Sequence, residues 1–206
     1  AAPIATAVKI PSGLDADELS KWLVEKHEMA IGGGLGDMGI HNLAPVFSAL
    51  KLGAPTSVHA SSTPVFKETV PLACVVHYQF PARGEMPPVQ LHWYDGGLLP
   101  ARPEELEDDR PLDPEDGIIF VGDKGKMLVT GWGGEHPRLI PESRHTEYRR
   151  PPKTLPRSIG HYREWIEACK GGVPGYSNFD IAAYLTEIIL LGCVALRAGR
   201  KIEWDG

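Results

Sequence analysis

Gly32-Gly33-Gly34-Leu35-Gly36-Asp37-Met38-Gly39-Ile40-His41 is the stretch on which the fold turns. Four glycines in five positions suit a loop that brings backbone close to a ligand, and such loops open dinucleotide-binding α/β folds. That reading fails on context. No long strand–helix–strand unit surrounds the glycines, and no ribose-binding acid follows at the right distance. What remains is a glycine joint leading into a helix. If that helix begins near Asp37, Asp37 and His41 lie on one face, one turn apart. A carboxylate and an imidazole so placed can move protons or act only as a cap and a surface residue. The glycines themselves read as an anion-binding loop or as a flexible joint.

Outward from this stretch the text divides in two. Before it, Ile4–Ile10 reads as a strand, Leu14, Leu19, Trp22 and Leu23 give a helical stripe, and Met29-Ala30-Ile31 is a short apolar run: a β-α-β piece. After it, 37–51 reads as a helix with Ile40, Leu43, Phe47 and Leu50 on its apolar face. Pro45 is awkward there, so the helix either starts near Asn42 or kinks. Gly53 is expected to close it. The segment 56–140 is strand-rich: 56–62, 69–80 and 89–94 alternate partially, and 118–121 and 126–130 flank Gly122-Asp123-Lys124-Gly125 as a hairpin. Long loops are expected over 95–117 and 141–157, with the acidic run 104–109 as a solvated arm. The chain ends in two helices, 158–170 and 181–196, the second apolar almost all round and expected to be heavily buried, followed by a short strand at 201–204. The fold class is α+β: an open, mostly antiparallel sheet with helices packed on one face, preceded by the β-α-β piece, with no Rossmann domain. The division is 1–36 and 37–206.

Bulk properties narrow the function classes. With 206 residues, 42% hydrophobic and 23% charged, the chain is an ordinary globular sequence. A net charge of -6 argues against nucleic acid as a partner. The longest apolar run, 181–196, is interrupted by Thr186 and Glu187, so no membrane span is expected. Neither a signal segment nor a metal-ligand spacing is present, and Cys74, Cys169 and Cys193 read as reduced thiols of a cytoplasmic protein.

The stretches GDMGIH, ALKLGAPTSVHA, LHWYDGGLLP, IIFVGDKGKMLV and SNFDIAAYLTEIILLGCVALRAGRKIEWDG resemble the C-terminal domain of the Gfo/Idh/MocA family of NAD(P)-dependent sugar and inositol oxidoreductases, over about 35–206. The resemblance implies an open antiparallel sheet that supplies the substrate side of the active site and an oligomer interface. It implies NAD(P) as the family's cofactor, carried on a preceding Rossmann domain that has no counterpart before residue 35. The family's Asp-x-x-x-His pair maps onto Asp37 and His41, with the histidine exchanging a proton with the substrate hydroxyl. The family's Glu-Lys-Pro lysine is absent, and Ala44 stands where an acid is usual. Residues 4–36 resemble instead the C-terminal segment of class V, alanine–glyoxylate-type aminotransferases, without the lysine that would hold pyridoxal phosphate. GGGLG fits both families, which suggests a chimera joined at the glycines.

These readings give a short set of expectations. Asp37 and His41 are expected as an inherited catalytic pair, inactive on its own because the cofactor half of the site is missing. His92, Trp93 and Tyr94, with His77, could line a substrate pocket; histidines on a sheet are otherwise simply packed or solvated. No cofactor and no metal is expected on this chain. The expected partner is a second copy docked through the sheet face. The two functional readings are a domain without catalysis of its own and a fragment of a sugar or polyol dehydrogenase with His41 as acid–base group.

Overall fold

The computed structural model describes residues 33–66, 69–113, 116–131 and 133–206. The β-α-β piece expected before the glycines lies outside the described residues. The first described elements are helical: α1 (Gly33–Asp37) and α2 (Gly39–Leu50). The glycines 33–36, expected as a loop, therefore form a helical turn instead. Leu35 explains the difference. It is fully buried, and its side chain reaches the last helix at Gly192, so tertiary packing outweighs the poor helix propensity of its neighbours. Met38 interrupts the ladder only slightly, since its N–H still donates to the Gly34 carbonyl at 2.7 Å.

The α2 helix keeps Pro45 in its interior rather than starting at Asn42. The ring offers no N–H to the carbonyl one turn back. Its apolar side is used instead, lying where a Cβ on Gly134 would touch it. The helix closes at Lys51, not Gly53. Lys51 adopts the left-handed conformation at φ 48°, and the Leu52 N–H caps the Phe47 carbonyl at 3.0 Å.

Two antiparallel sheets follow. The larger has the order β3-β2-β1-β7, from β1 (Ser57–Ser62), β2 (Cys74–Phe80), β3 (Val89–Asp95) and β7 (Ile202–Glu203). Alternation along β2 sets its two faces: Cys74, Val76, Tyr78 and Phe80 are buried, whereas Val75, His77 and Gln79 are not. The buried side packs on α2 and on α5 (Phe179–Ala198), whose Leu185, Ile188, Ile189, Leu191 and Leu196 enter the same core. Asn178 caps α5 by accepting from the Asp180 N–H at 3.0 Å, and Gly199 ends it in the left-handed region. The fold is thus α+β, with helices on one face of an open antiparallel sheet.

By length and composition α5 is apolar enough to cross a membrane, despite Thr186 and Glu187, a test that a core helix of a globular domain also meets. One expectation about it is corrected. It is less buried than its composition suggests. Phe179, Tyr184, Leu190 and Val194 are exposed, and Phe179, Leu190 and Val194 border, with Ile202 and Trp204, a groove of about 540 Å³. Trp204 spans this groove and donates from Nε1 to Glu187 at 2.7 Å. The preceding helix α4 (His161–Cys169) also turns its apolar stripe outward, with Tyr162 79% and Trp165 70% exposed.

The second sheet, β4-β5-β6, contains the expected hairpin: β4 (Ile118–Gly122), the turn Asp123-Lys124, and β5 (Gly125–Val129). Its third strand, β6 (Arg138–Ile140), leads into a short helix, α3 (Glu142–Glu147), within the segment expected as loop. Leu106 joins Leu128 and Ile140 in a small separate core. The acidic run is not a free arm. Glu105 pairs with Lys126 at 2.6 Å and Glu107 with Arg110 at 3.0 Å. Arg102 gathers the carbonyls of Leu106, Glu107 and Arg110. Buried Leu106 fixes the loop, and the charges then meet across short distances.

Candidate functional site

Asp37 ends α1 and His41 lies in the first turn of α2, with Met38 between the helices. The His41 and Asn42 N–H groups donate to the Met38 carbonyl at 3.1 and 3.2 Å, so Asp37 and His41 remain about one turn apart. Asp37 is half-buried and His41 exposed. Two further features lie on this side of the molecule. The Asp95 carboxylate, at the end of β3, sits 2.8 Å from where a Cβ on Gly34 would be, so glycine is what lets the carboxylate reach α1. Its Oδ1 accepts from the Gly96 N–H at 2.7 Å, which fixes its orientation. The Gly133-Gly134 turn, with φ of 78° and 93°, runs past His41 and Pro45. Asp37, Asp95, His41 and the glycine turn thus border the helix side of the larger sheet. Two carboxylates and an imidazole there can hold polar groups and exchange protons.

His92, Trp93 and Tyr94 are not on one surface. Consecutive strand residues point to opposite faces. Trp93 shares the face of Val76 and packs against the core, its Nε1 buried without a hydrogen-bond partner. His92 and Tyr94 point to the open face, opposite the helices, together with His77 and Val75. The sheet therefore separates His92 and Tyr94 from Asp37 and His41.

On the open face, the register builds a row that chain spacing does not show. His59 pairs with His77, and His77 with His92, across three adjacent strands. The His59 and His77 rings stack at 4.6 Å between centroids, and His77 meets His92 edge-on at 4.8 Å. The Nδ1 atoms of His77 and His92 are 2.6 Å apart, close enough for one to donate to the other. Burial, then the neighbouring His92 and His59, hold His77 below the ordinary imidazole range. Beside the row, His59, Gln79, Gln90, Arg200 and Lys201 line a shallow basin of about 580 Å³. Among the described residues, no three histidine, cysteine, aspartate or glutamate side chains converge as a metal set.

The cysteines play no visible part in either group. All three are free thiols, and burial pushes Cys74 up to about 12, helped by Asp95 and Cys193.

Sequence reasoning named Asp37, His41 and His92, gave His59 a weaker case than His77 and His92, and missed Asp95. Asp95 carries no motif; only the close approach of Gly34 reveals it. His59 was legible only as a β-strand residue, because its link to His77 depends on strand register.

No protein-family profile matches the chain, and no curated protein matches it. Among solved structures, an NAD-binding protein from Listeria innocua is 14% identical, with a TM-score of 0.46. The match covers 84% of this chain and 48% of that one, so the chain spans about half the length of that protein.

Proposed function

We propose that this chain is a C-terminal sheet domain of the Gfo/Idh/MocA oxidoreductase type, isolated or chimeric, which presents the substrate side of a site and has no independent catalysis. The observation that carries this reading is the placement of Asp37 and His41. Asp37 ends α1 and His41 lies in the first turn of α2, one turn apart beside a larger sheet that is antiparallel throughout, which supports mapping GDMGIH onto that family's Asp-x-x-x-His pair. In this reading His41 would exchange a proton with a substrate hydroxyl while a nicotinamide, held by another domain, takes the hydride. NAD(P) belongs to that other domain. This chain positions and bounds the substrate.

The same reading includes a cytoplasmic homo-oligomer, joined through the open face on which Val75, His77, His92 and Tyr94 lie. It also gives residues 1–36, the aminotransferase-like piece of a chimera, a covering role. The apolar stripes of α4 and α5 are solvent-facing among the described residues, and surfaces of that kind are usually covered.

Calorimetric titration of the full chain with NAD(H) and NADP(H) tests the catalytic part. The expected result is no heat at millimolar cofactor. Saturable binding with turnover of a polyol, abolished by His41→Ala, would replace the proposal with the dehydrogenase-fragment reading. Sedimentation of the same protein tests the oligomer: a monomer at all concentrations would remove the sheet-face contact.

A further inference from the structure

The His59–His77–His92 row is not needed by the proton chemistry above, and it lies on the opposite face of the sheet. We infer that His77 and His92 form a chelating pair for a borderline divalent transition-metal ion of the zinc, nickel or copper class. The inference is independent of the proton chemistry proposed for Asp37 and His41, and it concerns the single chain, since a second copy docked on this face, as proposed above, would cover the pair.

Three observations carry it. First, the two side chains are directly opposite in the β2–β3 register, where cross-strand neighbours share one surface. Their Nδ1 atoms are 2.6 Å apart, so both nitrogens point into the same small volume. Two nitrogens bound tetrahedrally to one ion, at bonds of about 2.0–2.1 Å, lie ~3.3 Å apart. Opening the pair by about 0.7 Å, a small side-chain rotation, would make room for an ion in place of the shared proton. Each ring would then carry its proton on Nε2 and offer the Nδ1 lone pair, so a neutral pair releases no net proton.

Second, the surroundings select the class of ion. Imidazole suits zinc, copper and nickel, whereas magnesium and calcium want oxygen ligands. The groups beside the pair on this face are His59, Tyr94, Val75, Gln79 and Gln90. The acid that shares the face, Glu203, pairs with Ser57 at the far strand and is held by Lys201 at 2.6 Å.

Third, the pair is accessible and supported. His92 is exposed, which leaves room for water as the remaining ligands, and His59 stacks on His77 with 23° between the ring planes. That stacking orients the His77 ring. His59 is a neighbour to the pair rather than a third ligand, because the three rings form a row and do not converge.

The test is a zinc titration of the metal-free full chain by calorimetry, alongside magnesium, with cobalt as a visible-absorbance probe. Expected are one-to-one zinc binding, a cobalt ligand-field band, no magnesium heat, and a thermal midpoint that rises with zinc and returns with chelator. His77→Gln and His92→Gln should each weaken zinc at least about tenfold, whereas His136→Gln, an exposed histidine elsewhere, should leave it unchanged. No zinc binding, or zinc binding in either pair variant as tight as in the unaltered chain, overturns the inference. Should a pair variant fold poorly, imidazole nitrogen resonances of the unaltered protein decide it. Zinc must shift the His77 and His92 signals together; a shift confined to other histidines overturns the inference as well.

Discussion

Gly192→Ala probes the contact that joins sheet to helix. Gly192 lies in the middle of α5, and the ring of buried Tyr78 from β2 ends against it. An alanine Cβ there would sit 2.1 Å from Tyr78 Oη, 3.2 Å from Tyr78 Cζ and 2.6 Å from Leu35 Cδ2. Comfortable separations are about 3.5–4.0 Å, so ring and helix would have to part by more than an ångström in a close-packed core. Such overpacking costs about 1–3 kcal/mol. Alanine recovers about 1 kcal/mol of helix propensity, so the net loss should be about 0–2 kcal/mol. The Tyr78 hydroxyl supplies the control. It is buried with no hydrogen-bond partner, and an unsatisfied buried donor costs about 1–3 kcal/mol, so Tyr78→Phe should be neutral or stabilising. In the Tyr78→Phe background, the cost of Gly192→Ala should shrink by about 1 kcal/mol or more, a coupling typical of touching side chains. Urea unfolding of the four proteins, followed by circular dichroism and extrapolated linearly, measures this. A Gly192→Ala protein more stable than the parent would show that ring and helix do not touch. Additive effects would show that the hydroxyl is not what the methyl meets.

Two other outcomes follow from local chemistry. The Cys74 thiol, pushed up to about 12 by burial, keeps its proton in the folded chain above the pH at which an unfolded cysteine, at about 8.5, has lost it. Folding then binds a proton, so stability falls as pH rises between those values, by about 1.4 kcal/mol per pH unit for this group. Burial drives the Tyr78 hydroxyl in the same direction. Urea midpoints at pH 8 and 10.5 should show the decline, and Cys74→Val should flatten it; a rise in stability over that range refutes the assignment. Lys51 occupies the left-handed cap of α2 at φ 48°, a conformation that costs a side-chain-bearing residue roughly 1–2 kcal/mol. Lys51→Gly should therefore add up to about 1 kcal/mol of stability after glycine's extra unfolded-state freedom is counted, and so raise the thermal midpoint; a lowered midpoint would refute it.

Elements defined by local chemistry were legible from the sequence. The hairpin at 118–129 has a turn bounded by Gly122 and Gly125, and α5 has an asparagine cap and a terminal glycine. These signals act over a few residues and need no partner. Elements decided by packing were not legible. Gly33–Gly36 reads as a joint on propensity, yet Leu35 anchors it as a helix because its contacts lie some 150 residues away in sequence. The acidic run at 104–109 reads as a solvated arm because nothing local indicates that Leu106 is buried. Once Leu106 is placed, Glu105 and Glu107 are within reach of Lys126 and Arg110. The outward turn of α4 and α5 was hidden for a related reason: an apolar stripe states that a surface wants cover, not that the cover lies in the same folded layer.

The site divides along the same line. Asp37 and His41 were legible because a helix relates residues four apart within one chain segment, and the small break at Met38 preserves that relation. Trp93 was grouped with His92 and Tyr94 by adjacency, but a strand turns adjacent residues to opposite faces, so the triplet could not act together. The alternation that removes Trp93 from the open face also places His92 there. What brings His92 to His77 is register, which is fixed by how Tyr78 and Leu91 share the core on the other side. A slip of one residue would turn His92 inward and put Leu91 or Trp93 on the open face in its place. The imidazole row is therefore specified indirectly, by apolar side chains on the opposite face. The core that holds α2 and α5 against the sheet also sets the distance between the His77 and His92 nitrogens.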